Sequence, residues 1–160
     1  MKQLTLIRHA EARMGGPDFD RPLTPRGACD AERMAKHLHQ QGFTADVILS
    51  SPANRAISTA HAIIKHLDGK IPNVIEVDAI YAASRHTLIT LIEALEETYD
   101  KAVLVGHNPA LSELACTLQH DNLGYMPPCG VLTIDFAVDH WVEVAPLKGR
   151  LLRFDKPECL

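Results

Sequence analysis

The stretch Leu4-Thr5-Leu6-Ile7-Arg8-His9-Ala10-Glu11 decides the fold of this chain, because an apolar run stops abruptly at an arginine and a histidine. Such a run reads as a buried strand that delivers Arg8 and His9 to its C-terminal end. In open α/β sheets ligands bind outside the carboxyl ends of the strands, so a cation and an imidazole set down there are placed for chemistry. A dipeptide alone is a weak motif, and a strand that merely ends in polar loop residues is the alternative.

Two further apolar runs end in the same manner. Residues 45–49 break into Ser50-Ser51-Pro52-Ala53-Asn54-Arg55, after which Ala56, Ile57, Ala60, Ile63, Ile64 and Leu67 line one helical stripe. The serines can cap that helix and Pro52 suits its first position, which explains the turn without any function. Arg55 does not share that explanation. A cation in the first turn of a helix opposes the helix dipole, so an arginine there points to something negative bound nearby. Residues 102–106 form the third run, ending at His107-Asn108-Pro109, and Pro109 opens a helix bearing Leu111, Leu114, Ala115 and Leu118.

Between these runs, Thr24 and Pro25 serve as N-cap and first position of a helix that carries Ala28, Ala31, Met34, Ala35 and Leu38 and closes at Gly42. Asp68-Gly69 marks a turn, residues 74–77 read as a short strand and residues 87–99 as a helix. Residues 131–136, 141–144 and 151–154 alternate like strands, and Asp139-His140 predicts that the first two pair as an antiparallel hairpin. Strand followed by helix, several times over, implies an α/β fold, a three-layer α/β/α sandwich with a mainly parallel central sheet. No linker or repeat divides residues 1–160, so a single domain is expected.

Composition narrows the function. The 160 residues are 46% hydrophobic and 22% charged, with a net charge of −4 and cations scattered rather than massed, which argues against nucleic acid as a partner. The apolar run after Lys2 is too short for a secretory signal or a membrane span, so a cytoplasmic location without a membrane partner is expected. Cys29, Cys116, Cys129 and Cys159 form no C-x-x-C and read as reduced thiols. His37 and His39 fall on different faces of their helix, read as surface histidines, and give no zinc motif. Cysteine-phosphatase spacing, Walker A, G-x-G-x-x-G and G-x-S-x-G are all absent from the sequence.

A parallel sheet would bring the three strand ends to one edge, where Arg8, His9, Arg55 and His107 converge. So much positive charge and imidazole in one cleft makes sense around an anion, because unpaired buried charge is costly. The planar fork of arginine grips phosphate or carboxylate at two oxygens, which makes a phosphate pocket the leading reading.

Four motifs in order carry a resemblance: Arg8-His9 after a strand, Arg21-Pro22-Leu23-Thr24-x-x-Gly27, Ser50-Ser51-Pro52-x-x-Arg55-x-x-x-Thr59-Ala60, and Val105-Gly106-His107-Asn108-Pro109. Together they resemble the histidine phosphatase superfamily, or phosphoglycerate mutase-like fold. The short length and the Arg-Pro-Leu-Thr segment look most like its SixA-type phosphohistidine phosphatases.

The resemblance implies that His9 is the nucleophile, with Arg8, Arg55 and His107 around the transferred phosphoryl group and Arg21 bordering the pocket. A salt bridge from Arg21 to Asp18 or Asp20 is the competing role for that arginine. Asn108 reads as support for its turn and Tyr81 as a wall or core aromatic. Chemistry fits these roles: a neutral imidazole can hold the phosphoryl group as phosphohistidine, while arginines neutralise its oxygens. The expected activity is a metal-independent, cofactor-free hydrolase acting on a phosphohistidine protein. A small-metabolite phosphomonoesterase or mutase, or a non-catalytic phosphate-binding module, are the alternatives. Many relatives take their general acid from a longer inserted segment for which this chain has little room. Glu11, Asp18, Asp20 and Glu76 are the remaining candidates, and an imidazole leaving group would lessen the need for any of them.

Overall fold

A computed structural model of the chain describes residues 1–67 and 74–160, so the turn expected at Asp68-Gly69 lies outside the described residues. Six strands form one sheet: β1 (Lys2–Arg8), β2 (Val47–Ser50), β3 (Val74–Glu76), β4 (Lys101–Gly106), β5 (Val131–Phe136) and β6 (Arg150–Asp155). Their order across the sheet is β3-β2-β4-β1-β5-β6. The first four run parallel, whereas β5 is antiparallel to both β1 and β6.

Helices cover both faces, as the alternation of strand residues requires. Leu4 and Leu6 of β1 face a core shared with α3 (Arg85–Glu93), α4 (Ala110–Leu118) and α5 (Val144–Leu147). Ile7, Val103 and Val105 face the opposite core, built on α1 (Pro25–Gln40) and α2 (Asn54–Lys65). Thr24 caps α1 as expected, its hydroxyl accepting from the Gly27 amide at 2.9 Å. Gly27 is required there because a Cβ would collide with the Glu11 carbonyl, over which α1 starts.

Several boundaries differ from the sequence reading. Residues 141–144 are not a strand: Trp141–Glu143 is a 3-10 turn that runs into α5, and the antiparallel partner of β5 is β6. The Glu143 carboxylate accepts from the His140 amide at 3.2 Å, and this local cap wins over a period-two pattern only four residues long. Helix α3 ends at Glu93 rather than Tyr99. Helix α2 starts two residues beyond Pro52, with Ala53 at the N-cap. His37 is half-buried, its Nε2 3.1 Å from the Asp155 carboxylate.

All four cysteines are free thiols, with Cys129 buried. Among the described residues no helix is long and apolar enough to cross a membrane.

Candidate active site

Sheet register brings the chemistry together. Arg8 pairs with Gly106 across β1 and β4, and the His9 amide donates to the Gly106 carbonyl at 3.1 Å. The residues that follow each strand are therefore neighbours, and the rings of His9 and His107 lie 5.2 Å apart, centroid to centroid. On the other side of β4, the Ser51 amide donates to the Val105 carbonyl at 3.0 Å, so the end of β2 joins the same edge.

His9 is buried and held in one orientation. Its Nδ1 lies 2.7 Å from the Ala10 carbonyl, so Nδ1 carries the proton and Nε2 keeps the lone pair. Burial pushes its pKa down to about 4, helped by the charges of Arg55, Arg8 and Arg21 and partly opposed by the bond to Ala10. His107 is pushed down to about 3, again chiefly by burial, with His9 and Arg55 adding to the effect. Both imidazoles are therefore neutral at pH 7.

Ser51 was legible in the sequence only as a helix cap, but α2 has Ala53 at its N-cap and no side-chain cap bond, so Ser51 acts in the turn before the helix. Its Oγ accepts from the Ala53 amide at 3.2 Å, but it also lies 2.8 Å from Nε2 of His107. Thr59 is a second supporting residue that the sequence motif contained without a role. Its hydroxyl donates to the Arg55 carbonyl at 2.8 Å and accepts from the Ala10 amide at 3.0 Å, tying α2 to the residue after His9. The Met126 carbonyl is a third. It receives Arg8 Nη1 at 2.9 Å and Asn108 Nδ2 at 2.8 Å, so the loop before β5 braces both strand ends. Asn108 supports its turn as expected, its Oδ1 accepting from the Ser112 amide and hydroxyl.

Two of the arginines are held by Asp18 and the third by the Met126 carbonyl. Arg55, at the start of α2, is buried; its Nη1 donates to the Asp18 carbonyl at 2.7 Å and its Nη2 to the Asp18 carboxylate at 3.1 Å. Arg21 lies 3.4 Å from the other Asp18 carboxylate oxygen, so it makes the salt bridge and also places its charge near His9. Burial lowers the Arg8 pKa, and the guanidinium sits 5.9 Å from the Tyr125 ring centre. Nε of Arg8 and Arg55 and Nδ1 of His107 are buried without a hydrogen-bond partner, and buried Arg21 Nε has only its ion-pair contact with Asp18. Native proteins rarely leave buried donors unpaired, so such a group in one site calls for an anion with several acceptor oxygens.

The acid candidates separate. Glu11 accepts from the Thr24 hydroxyl at 2.6 Å, and Asp20 and Glu76 are exposed. Asp18 sits on the arginines, and a 2.6 Å bond from the Tyr81 hydroxyl together with Arg55 holds its carboxyl below the usual carboxylate range. Tyr81 is a wall residue whose ring lies 5.9 Å from that of His107. Among the described residues no group of three or more histidine, cysteine or carboxylate side chains forms a metal site.

Comparison with known proteins bears on the fold and the family. The fold is the phosphoglycerate mutase-like α/β sandwich, and residues 4–80 match the model of the histidine phosphatase superfamily, branch 1. The chain belongs to the histidine phosphatase superfamily and is SixA-like. Over 98% of each chain it superposes with a TM-score of 0.84 and 28% identity on a protein described as phosphohistidine phosphatase SixA from Agrobacterium tumefaciens. A protein histidine phosphatase SixA complexed with tungstate gives the same TM-score at 19% identity, also over 98% of each chain. An uncharacterized protein of Mycobacterium tuberculosis is 27% identical over 162 residues, 94% of this chain and 99% of its own length. Membership and the SixA match at 28% identity support phosphatase activity for the chain.

Proposed function

We propose that the chain is a phosphohistidine phosphatase that works, without metal, through covalent transfer of the phosphoryl group to Nε2 of His9. The observation that carries this reading is the convergence of Arg8, Arg21, Arg55 and His107 on His9, with buried nitrogens of Arg8, Arg55 and His107 unpaired and the His9 proton held on Nδ1, which leaves the lone pair on Nε2.

In the proposed reaction, Nε2 of His9 attacks phosphorus in line. The P–N bond to the enzyme forms as the bond to the leaving group breaks, and the leaving group takes a proton. Arg8, Arg21 and Arg55 neutralise the equatorial oxygens, where charge spreads in the transition state. Water then attacks the phosphohistidine, the P–N electron pair returns to Nε2, and phosphate departs. As phosphate enters, its charge raises the pKa of His107 and strengthens donation from that ring.

Two features favour a protein-borne phosphohistidine. Glu11 is bonded to Thr24, Asp18 has its carboxyl held below the usual carboxylate range, and Asp20 and Glu76 stay in solvent, which suits an imidazole leaving group that needs little help from a protein acid. An open groove of about 720 Å³, lined by Arg85, Pro109, Ser112, Cys116, Tyr125 and Lys148, adjoins the site through Tyr125 and Pro109. That volume suits a bulky leaving group. A smaller cavity of about 220 Å³ beside Tyr81 and His107 favours, as the second reading, a compact phosphomonoester.

The test compares wild type and His9→Ala in EDTA, on a phosphohistidine-bearing protein and on p-nitrophenyl phosphate. Phosphate release by wild type alone, faster from phosphohistidine, is the expected result. Equal activity in the variant would remove His9 as nucleophile, and activity only with added divalent metal would remove metal independence.

A further inference from the structure

Asp18 occupies an unusual place for an exposed loop carboxylate. One of its oxygens accepts from Arg55 Nη2 at 3.1 Å and from the Tyr81 hydroxyl at 2.6 Å, and the other lies 3.4 Å from Arg21 Nε. Two of the three arginines assigned to the phosphoryl group are therefore already neutralised by an anion of the chain itself. Resting on the reading of this pocket as a phosphoryl site, we propose that Asp18 is an exchangeable internal ligand, which holds the arginines in the empty enzyme and is displaced by the incoming phosphoryl group.

The surroundings are built for exchange at the side chain alone. The backbone of the Asp18–Asp20 turn is pinned to α2 by Arg55 Nη1 on the Asp18 carbonyl and by Asn54 Nδ2 on the Asp20 carbonyl at 3.1 Å. Arg55 thus keeps one anchor when the carboxylate leaves. The Asp18 side chain is 57% exposed, so it can swing into solvent by a rotamer change. Tyr81 is the latch, because its hydroxyl holds the same oxygen as Arg55 and its ring packs edge-on against Phe19 at 5.2 Å.

The consequence falls on release. After hydrolysis, phosphate sits among three arginines and would leave slowly. A tethered carboxylate competing for two of them lowers the affinity for free phosphate and relieves product inhibition. It also keeps the arginines oriented between turnovers.

Titration calorimetry of orthophosphate into wild type and Asp18→Asn at pH 7 tests this directly. The expected result is a Kd about two- to fivefold lower in Asp18→Asn, the scale of one solvent-exposed ion-pair contact, with a matching fall in the inhibition constant of phosphate. Tyr81→Phe should shift both constants in the same direction by less. Unchanged or weaker phosphate binding in Asp18→Asn overturns the proposal. So does a fall in kcat on an alkyl phosphate with kcat on p-nitrophenyl phosphate preserved, which would make Asp18 the proton donor. Because calorimetry reads binding, tighter phosphate with no turnover by wild type would refute the hydrolase reading while leaving this inference standing.

Discussion

The hydroxyl of Ser51 lies 2.8 Å from Nε2 of His107, joining the ends of β2 and β4 by a side-chain bond beside their backbone ladder. The Ser51 oxygen already accepts from the Ala53 amide, which leaves its proton free for the imidazole. Hydrogen-bond pairing then assigns neutral His107 the tautomer protonated at Nδ1, the nitrogen that is buried without a partner. A neutral ring can thus donate to a phosphoryl oxygen. Ser51→Ala should lower kcat/KM about tenfold, the worth of one hydrogen bond. Imidazole ¹⁵N shifts of His107 should at the same time lose their preference for the Nδ1–H form; unchanged shifts would refute the assignment.

Wild type mixed with labelled substrate and quenched in alkaline SDS should carry an alkali-stable, acid-labile phosphoryl group, and His9→Ala should carry none. Label on the variant would place the intermediate elsewhere.

Arg55→Ala should reduce kcat/KM by about 10²-fold or more, as the loss of a transition-state donor does. Arg21→Ala should cost less, since Arg21 divides its charge between the pocket and Asp18. Rates of both variants on p-nitrophenyl phosphate check the order, and a larger loss for Arg21→Ala would reverse the assignment.

The histidine pair should be visible in titration. Its folded pKa values, about 4 for His9 and about 3 for His107, lie below the unfolded value near 6.5. Between about pH 4 and 6.5 the unfolded chain binds more protons, so the contribution of these groups to stability is full above about 6.5 and falls with acidification through that window. Melting temperature followed from pH 7 to 4 should drop accordingly. Tungstate, by adding negative charge, should raise both values, seen as proton uptake in calorimetry across buffers of different ionisation enthalpy. Zero uptake near pH 5 would contradict the electrostatics.

Thr59→Val should destabilise the fold by about 1–3 kcal/mol, because it removes the acceptor of the buried Ala10 amide and the donor to Arg55 at nearly constant volume. Chemical denaturation measures it. A midpoint equal to wild type would mean that the strand end and α2 are held by other contacts.

What could be read in the sequence was whatever left a one-dimensional trace. Arg8-His9 and His107 stand out because polar residues terminate apolar runs, and parallel register then makes them neighbours. Arg55 stands out because it contradicts a helix dipole. Ser51 did not, since a capping serine satisfies a local explanation and its bond to His107 spans 56 positions. Asp18 among several loop carboxylates carries no period, and Met126 acts through its carbonyl, which side-chain identity does not encode. At residues 141–144 the alternation of a strand was indistinguishable, over so short a span, from a capped turn.

The reactive groups and the walls belong to different parts of the chain. His9, His107 and Ser51 are spaced by the ladder bonds of β1, β4 and β2, while Tyr81 and Tyr125 belong to connecting segments. Such a division makes the fold modular in the engineering sense: the connecting segments form the walls, and the spacing of the groups proposed to break the bond is set by the sheet.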